Sequence, residues 1–179
     1  GATNIDDGTL QITGALAQTA VTVASGATYD SDTTDTIGSI DGAGAIEINT
    51  GTTLTVGGNN TSTTHTGVIS GDGNLIKEGT GRLILQGAND YTGSTTVSAG
   101  YLRVSHNTAL GTTDGNTNVA NGAALELSGD IIIGIGEDLT IAGTGTGEAN
   151  DGALINQSGD NEYQGSISLS TSDVRIQTR

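Results

Sequence analysis

Internal self-similarity is the feature of this sequence that most limits the folds open to it. The segment Gly1–Ile12 matches Gly93–Val104 without a gap at an offset of 92 residues, and Gly87–Val97 matches Gly159–Leu169 at an offset of 72. Two shorter pairs match in the same way: Ile40–Ile46 with Ile69–Leu75, and Val23–Tyr29 with Val119–Leu125. The offsets differ, so the chain contains several kinds of repeat. Repeats of this kind bury their apolar faces by stacking on one another.

The repeats consist of short alternating segments, such as Leu54–Val56, Leu83–Leu85 and Leu125–Leu127, separated by Gly, Asn and Asp. Alternation with a period of two indicates strands, and no long stretch has helical periodicity. The chain has 30 Gly, no Phe or Trp and four Tyr, too few large side chains to fill a sandwich core. A solenoid buries only a few side chains per layer. At roughly 20 residues per coil, about nine coils would form a rod on the order of 40 Å long.

The charge of −15, from 20 acidic and 5 basic residues, excludes nucleic acid and anionic lipid surfaces as expected partners. The chain has no cysteine and therefore no disulfide or thiolate metal site. Its densest apolar run, Ile131–Ile133, is far shorter than a membrane span, and no signal peptide is evident at Gly1. We therefore expect no membrane insertion by this segment.

Residues 73–104 carry the most specific pattern. They read G-N-L-I-K-E-G-T-G-R-L-I-L-Q-G-A-N-D-Y-T-G-S-T-T-V-S-A-G-Y-L-R-V. This resembles the autotransporter passenger-associated β-strand repeat at every defined position of that pattern. Residues 152–165 resemble a more divergent version, and Ile167-Ser168-Leu169 follows them where the full repeat has Thr-Thr-Val.

The resemblance implies an all-β fold, a right-handed single-stranded parallel β-helix (β-solenoid), in a secreted or surface-exposed bacterial protein. We expect residues 1–179 to form a single solenoid segment. Because both ends fall inside repeats, we expect the segment to be a fragment or processed part of a longer repeat protein.

No catalytic, cofactor-binding or metal-binding residues are predicted. His65 and His106 lie far apart in polar surroundings and are interpreted as surface histidines. The run Asp30–Asp35 could collect Ca²⁺ through carboxylates, but it lacks the spacing of known calcium loops, so a solvated acidic loop is preferred. The same interpretation is given to three further acidic positions: Asp6-Asp7, Asp72 and Glu137-Asp138.

Several motifs are interpreted as structural. Gly79–Gly81 and Gly143–Gly147 resemble phosphate loops, but no helix follows them, so they are predicted to be turns. Lys77 belongs to the repeat pattern. Asn89 with Tyr91, and Asn161 with Tyr163, are predicted to cap or stack at a corner of the coil because the pair recurs.

Three functions remain open at this stage. The first is a non-enzymatic stalk or adhesin segment, whose ligand on a host or matrix surface would bind exposed ladders or the segments Gly57–Gly67 and Asn107–Asn118. The second is a subunit of an extracellular filament that binds itself end to end, because an uncapped solenoid exposes an unpaired strand. The third is a polysaccharide lyase or hydrolase. Five basic residues leave little for the chemistry of such an enzyme, so we expect no enzymatic activity.

Overall fold

The computed structural model describes residues 1–149 and 151–179, which form 22 short β-strands and no helix. The strands are β1 (Ala2–Ile5), β2 (Thr9–Ile12), β3 (Ala20–Val23), β4 (Thr28–Ser31), β5 (Asp35–Ile37), β6 (Ser39–Gly42), β7 (Ala45–Ile48), β8 (Thr53–Val56), β9 (Thr63–His65), β10 (Ile69–Ser70), β11 (Asn74–Lys77), β12 (Arg82–Leu85), β13 (Thr95–Val97), β14 (Gly100–Val104), β15 (Thr117–Val119), β16 (Ala123–Ser128), β17 (Ile132–Ile133), β18 (Leu139–Ile141), β19 (Leu154–Ser158), β20 (Glu162–Tyr163), β21 (Ile167–Leu169) and β22 (Ile176–Thr178).

The strands stack into four parallel sheets. Sheet A has nine strands in the order β1-β3-β6-β9-β12-β14-β16-β19-β22, and sheet C has seven, in the order β5-β8-β11-β13-β15-β18-β21. Sheet B (β2-β4-β7-β10) and sheet D (β17-β20) follow sheet A in the circuits of the chain that contain them. We call each circuit a coil and number it by its sheet A strand. The nine sheet A strands therefore bound eight complete circuits, and the predicted parallel β-helix is confirmed.

The coils vary in length, which is why the repeats have no fixed period. Ala2 pairs with Ala20, only 18 residues later, whereas Leu125 pairs with Leu154, 29 residues later. The extra residues of the longest coil fall after β18, in the connection that returns to sheet A. Parallel pairing tolerates such differences because only the strands must stay in register, while the connections bulge outward.

Ladders of like apolar residues fill the interior. In sheet A, Leu83, Leu102, Leu125 and Leu154 pair in succession, and all four are buried. Alternation places every second residue of each strand inside, where it packs on the equivalent residues of the coils above and below. A narrow core of this kind needs few aromatic side chains, in agreement with the composition.

Glycines stack at the corner that leads from sheet C into sheet A. A Cβ built on Gly57, at φ +122°, would lie 2.0 Å from the carbonyl oxygen of Glu78. A Cβ on Gly79, at φ +69°, would lie 2.0 Å from the carbonyl oxygen of Gly57. The recurring glycine of the repeat is thus required both by the positive φ and by the close approach of successive corners.

A side chain replaces strand pairing in coil 5, where sheet B is interrupted. Asn89 is buried, and its Oδ1 accepts a hydrogen bond from Ile69 N of the preceding coil at 2.9 Å. Its Nδ2 donates to Ala109 O of the following coil at 2.7 Å. One amide therefore satisfies backbone groups of both neighbouring coils, and this explains why Asn occupies this position of the repeat.

We predict that Asn89→Ala lowers the free energy of unfolding by about 2–4 kcal/mol, because it leaves a buried N–H and a buried C=O without partners. Urea denaturation of the wild type and the variant measures the change. Asn118→Ala, at an exposed position in the middle of β15, is the matched control and should change stability by less than about 0.5 kcal/mol. Equal effects of the two substitutions would contradict the role given to Asn89.

Candidate functional site

Lys77 is a buried link between coils. It occupies an inward position of β11, between Val56 and Val97 in the stack, and is 1% exposed. Its Nζ donates to Glu78 O at 2.6 Å, Gly79 O at 2.9 Å and Ala99 O at 3.1 Å. Burial lowers the pKa of Lys77 to about 8. The ammonium group therefore links the corner that follows β11 to the corner of the next coil, at Ala99. This supports the structural interpretation of Lys77.

The two Asn and Tyr pairs differ in a way that follows from the sequence. The buried Tyr91 hydroxyl lies 2.5 Å from Thr95 Oγ1, four residues later. Tyr163 has Ile167 at the equivalent position, and its buried hydroxyl has no hydrogen-bond partner among the described residues. Asn161 keeps the link to the preceding coil, since its Oδ1 accepts from Ile131 N at 2.9 Å. In the full repeat both the Asn and the Tyr side chains are hydrogen-bonded, whereas in the divergent repeat the Asn is bonded and, within the described ranges, the Tyr hydroxyl is not.

One histidine interpretation is wrong. His65 is fully buried rather than exposed, because it is an inward residue of β9, between Gly42 and Leu85 in the sheet A stack. Neither ring nitrogen has a partner among the described residues, and burial lowers the pKa of His65 to about 4. His106 is half-buried, and its Nδ1 accepts from the backbone N–H of Thr108 at 3.2 Å. The two histidines lie in different coils and form no common site.

The acidic run Asp30–Asp35 is divided between the surface and the interior. Asp30 Oδ1 accepts from Asn49 Nδ2 at 2.8 Å, and Asp32 accepts from the side chains of Asn49 and Gln11. Asp35 is buried, contrary to the expectation of a solvated loop, and it accepts from the Tyr29 hydroxyl at 2.8 Å. In the two ranges that the structure describes, no group of three or more His, Cys, Asp or Glu side chains is placed to hold a metal ion.

All four arginines of the chain gather on the outer face of sheet A. Arg82 and Arg103, from coils 5 and 6, each place Nε 2.8 Å from Glu126 Oε2 in coil 7. Arg179 lies 4.0 Å from Glu126 Oε1 and 3.8 Å from Asp151, and Arg175 donates to the carbonyl oxygen of Asp151. Glu126 is fully buried beneath these side chains. No local motif predicts this cluster, because its members are brought together only by the register of sheet A.

A tyrosine and a surface connection cover one side of this arginine cluster. The guanidinium of Arg82 lies 4.5 Å above the ring of Tyr101. The Tyr101 hydroxyl lies 2.6 Å from Thr146 Oγ1 and 3.2 Å from Asp151 Oδ2, in the connection that lengthens coil 7. The stacking of a guanidinium on an aromatic ring and its hydrogen bonds to a carboxylate both stabilise such a cluster. The cluster therefore attaches the long connection to three coils of sheet A.

A surface cavity of about 280 Å³ opens between coils 6 and 7, where strand pairing is again interrupted. Residues 107–113 form one wall and residues 132–137 the other, with Leu110 and Ile133 supplying apolar surface. Asn107 Oδ1 spans the gap by accepting from Ile132 N at 2.9 Å. Part of the predicted binding segment Asn107–Asn118, residues 107–113, thus lines a cavity. Gly57–Gly67 passes round a corner with exposed residues from Asn59 to Ser62.

Glu137 lies in the wall of this cavity, and the expectation of a solvated acidic loop there is wrong. Its side chain is buried at the end of a tight turn through Gly134 and Gly136, and Thr117 Oγ1 donates to its Oε1 at 2.7 Å. Burial raises the pKa of Glu137 to about 7. Asp138, the next residue, is exposed as expected, and Asp6, Asp7 and Asp72 are also at least partly exposed.

Comparison with known proteins agrees with this architecture. Residues 75–104 match the family described as Passenger-associated-transport-repeat. The chain is 36% identical over 147 residues to an adhesin autotransporter, BmaC, of Brucella suis biovar 1 (strain 1330). That match covers 72% of this chain but only 4% of the relative. No solved structure matches the chain.

The stacked parallel coils and the buried polar links define a repeat-built parallel β-helix. Within it, coils 4 to 6 contain a passenger-associated transport repeat, the repeat of the autotransporter family that the sequence resembles. Nowhere in the described ranges is there a helix with the length and hydropathy of a membrane span.

We predict that Glu126→Gln lowers the free energy of unfolding by about 2–4 kcal/mol, because Arg82 and Arg103 lose the buried carboxylate that they share. Glu47→Gln, at an exposed position of β7, is the control and should have little effect. Both are measured by chemical denaturation. An equal loss of unfolding free energy in both variants would mean that Glu126 stabilises the fold no more than an exposed carboxylate does.

We predict that His65 weakens the fold in acid. Its pKa falls from the ordinary value of 6.5 to about 4 on folding, so its neutral form favours the folded state and that contribution is lost as the pH falls from 6.5 to 4. The total is about 3 kcal/mol. His65→Leu should remove this part of the pH dependence, whereas His106→Gln should keep it. The comparison uses unfolding free energies of the wild type and both variants, measured at several pH values.

Proposed function

We propose that this chain is a non-enzymatic segment of a secreted or cell-surface β-helix, which extends from the bacterium and presents an adhesive lateral surface. The observation that carries the proposal is how the repeat uses its polar residues. Lys77, Asn89 and Tyr91 are each buried and hydrogen-bonded, and Lys77 and Asn89 connect neighbouring coils. The repeat therefore supplies a rigid rod whose binding groups are those that remain outside.

The relative's name supports the adhesive part of this proposal. BmaC is called an adhesin, and the aligned region is a small part of that protein, so attachment and its receptor are proposals for this chain. The charge of −15 favours solubility of a rod with many strands and disfavours binding to anionic surfaces. The surface that we propose for attachment comprises the exposed residues of the coils and the cavity between coils 6 and 7.

A bead-attachment assay tests adhesion directly. Beads coated with the folded chain should attach to cultured host cells or extracellular-matrix proteins more than beads coated with a non-adhesive acidic protein of similar charge. Attachment should be lost when the chain is denatured before coating, because the binding groups are placed by the stacked coils. Equal attachment of the two bead types would contradict the adhesive role and leave the rod as a spacer.

The same purified chain tests the absence of catalysis. It should release no reducing ends or unsaturated sugar acids from acidic or neutral polysaccharides. Glu137, the buried acid of the cavity wall, has no basic side chain beside it among the described residues of that wall, which disfavours lyase chemistry at this position. Release of either product, in amounts that grow with protein concentration, would show that the chain is an enzyme.

End-to-end assembly is the second candidate, because a parallel coil can pair with a further coil through its open strand edges. The last coil leaves apolar side chains uncovered, with Leu169 60% and Ile176 56% exposed. An added coil, from a longer chain or from a second copy, would cover them by strand pairing. Electron microscopy and sedimentation of the purified chain distinguish the cases. Rods that lengthen with concentration support a filament, whereas short rods of constant length exclude self-assembly.

A further inference from the structure

The cavity between coils 6 and 7 combines an apolar wall with a buried acid. Its lining includes the buried side chains of Leu110 and Ile133, and Ile132 at the mouth is 43% exposed. Glu137 is 3% exposed and its Oε1 accepts the hydrogen bond from Thr117. Asn107 and three threonines also line the cavity. An apolar surface with a few placed polar groups is the general form of a small binding site.

One polar group near Glu137 lacks a hydrogen-bond partner in the described part of the chain. The carboxylate has Thr117 on one side, and the aromatic hydroxyl of Tyr163, in the next coil, has no partner among the described residues. Burial raises the pKa of Tyr163, and the nearby charges of Glu137 and Asp138 raise it further. An ionised carboxylate has about four acceptor sites, so Glu137 can accept a further donor besides Thr117.

Charge selects the kind of donor. Of the five basic residues, all of which the structure describes, none lines the cavity: the four arginines lie on sheet A, and Lys77 is bound to backbone carbonyls in the core. Asp138 and Asp114 are exposed and close in sequence to the two walls, so the charged residues that flank the walls in sequence are acidic. A cationic head group with an aliphatic stem complements both the charge and the apolar lining.

We propose that this cavity binds a lysine side chain of a partner protein, with the methylene groups against Leu110 and Ile133 and the ammonium group donating to the Glu137 carboxylate. The inference rests on the proposed adhesive function, because that function supplies the partner protein that carries the lysine. Binding of a lysine side chain to the cavity is tested separately, with small probes and without cells.

Ionisation of Glu137 gives the site a dependence on pH. Burial raises its pKa to about 7, so the carboxylate that pairs with an ammonium group is partly protonated at neutral pH. The groups that face it are Thr117, Tyr91, Tyr163 and Asp138, and none of these is a cation. Lysine should therefore bind more tightly as the pH rises from 6 to 8, which is the sign expected when only the ionised acid binds.

The test uses the whole folded chain and two probes. One is Nα-acetyl-lysine methylamide, whose side-chain amine is free, and the other is the norleucine analogue, which has the same aliphatic chain without the amine. Two-dimensional NMR titration should show saturable shifts at the amides of Leu110, Ile133 and Gly134. We expect a dissociation constant on the order of millimolar for the lysine probe and binding roughly tenfold weaker for the norleucine probe.

Two variants identify the acid. Glu137→Gln keeps the shape and the hydrogen bond from Thr117 but should remove the preference for lysine, so that both probes bind alike. Glu47→Gln removes an exposed acid elsewhere and should leave the preference intact. The NMR spectra report whether each variant is folded; if Glu137→Gln does not fold, loss of the preference at pH 5 in the wild type serves in its place.

Three results would overturn the proposal. Equal binding of the two probes to the wild type would make the cavity a site for apolar groups alone. Lysine-dependent shifts spread over other acidic residues, unchanged in Glu137→Gln, would show general attraction to the charge of the rod. No saturable shift would show an unused cavity. If the lysine probe does not bind but the beads attach, the lysine site is refuted and the adhesive function stands. If the beads do not attach but the lysine probe binds, the adhesive function is refuted and the lysine site stands.

Discussion

Every other feature of this protein depends on the in-register stacking of parallel strands from one coil to the next. A strand in such a stack can satisfy its N–H and C=O groups only through the coils above and below it. Where the strands continue, as in sheets A and C, the backbone does this alone. Where they stop, side chains must supply the missing partners, and Asn89 and Lys77 do so from buried positions. Stability is thus distributed along the rod as a series of contacts between neighbouring coils.

The same constraint explains where the molecule can bind something. Between coils 4 and 6 the interruption of sheet B is closed by Asn89, which is 2% exposed. Between coils 6 and 7 the bridging residue is Asn107, which is exposed, and the coils separate enough to leave a cavity. The outer face of sheet A is treated differently, since its arginines are engaged by Glu126 and Asp151. A rod built from one kind of stacking therefore presents locally distinct surfaces.

The fold could be predicted from the sequence because the signals for it are local: alternating strands, corner glycines and a repeat that matches at every defined position. The roles of Lys77 and Asn89 could be anticipated from their place in that repeat. The burial of His65, Asp35 and Glu137 could not, because a polar residue beside Thr or Gly is typical of a surface until the register shows which way it points. The arginine cluster depends on offsets of 19 to 29 residues between paired strands, and these vary from coil to coil.

Residue-resolved hydrogen exchange of the folded chain tests the central claim most directly, because it reports each link between coils separately. The claim predicts that the Ile69 amide, bonded to the side chain of Asn89, exchanges as slowly as amides in the middle of sheet A, such as Leu102. The Ile132 amide, bonded to the exposed Asn107, should exchange faster by local opening. Rapid exchange at Ile69, at the rate of an unstructured loop, would contradict the view that buried polar side chains hold the coils together.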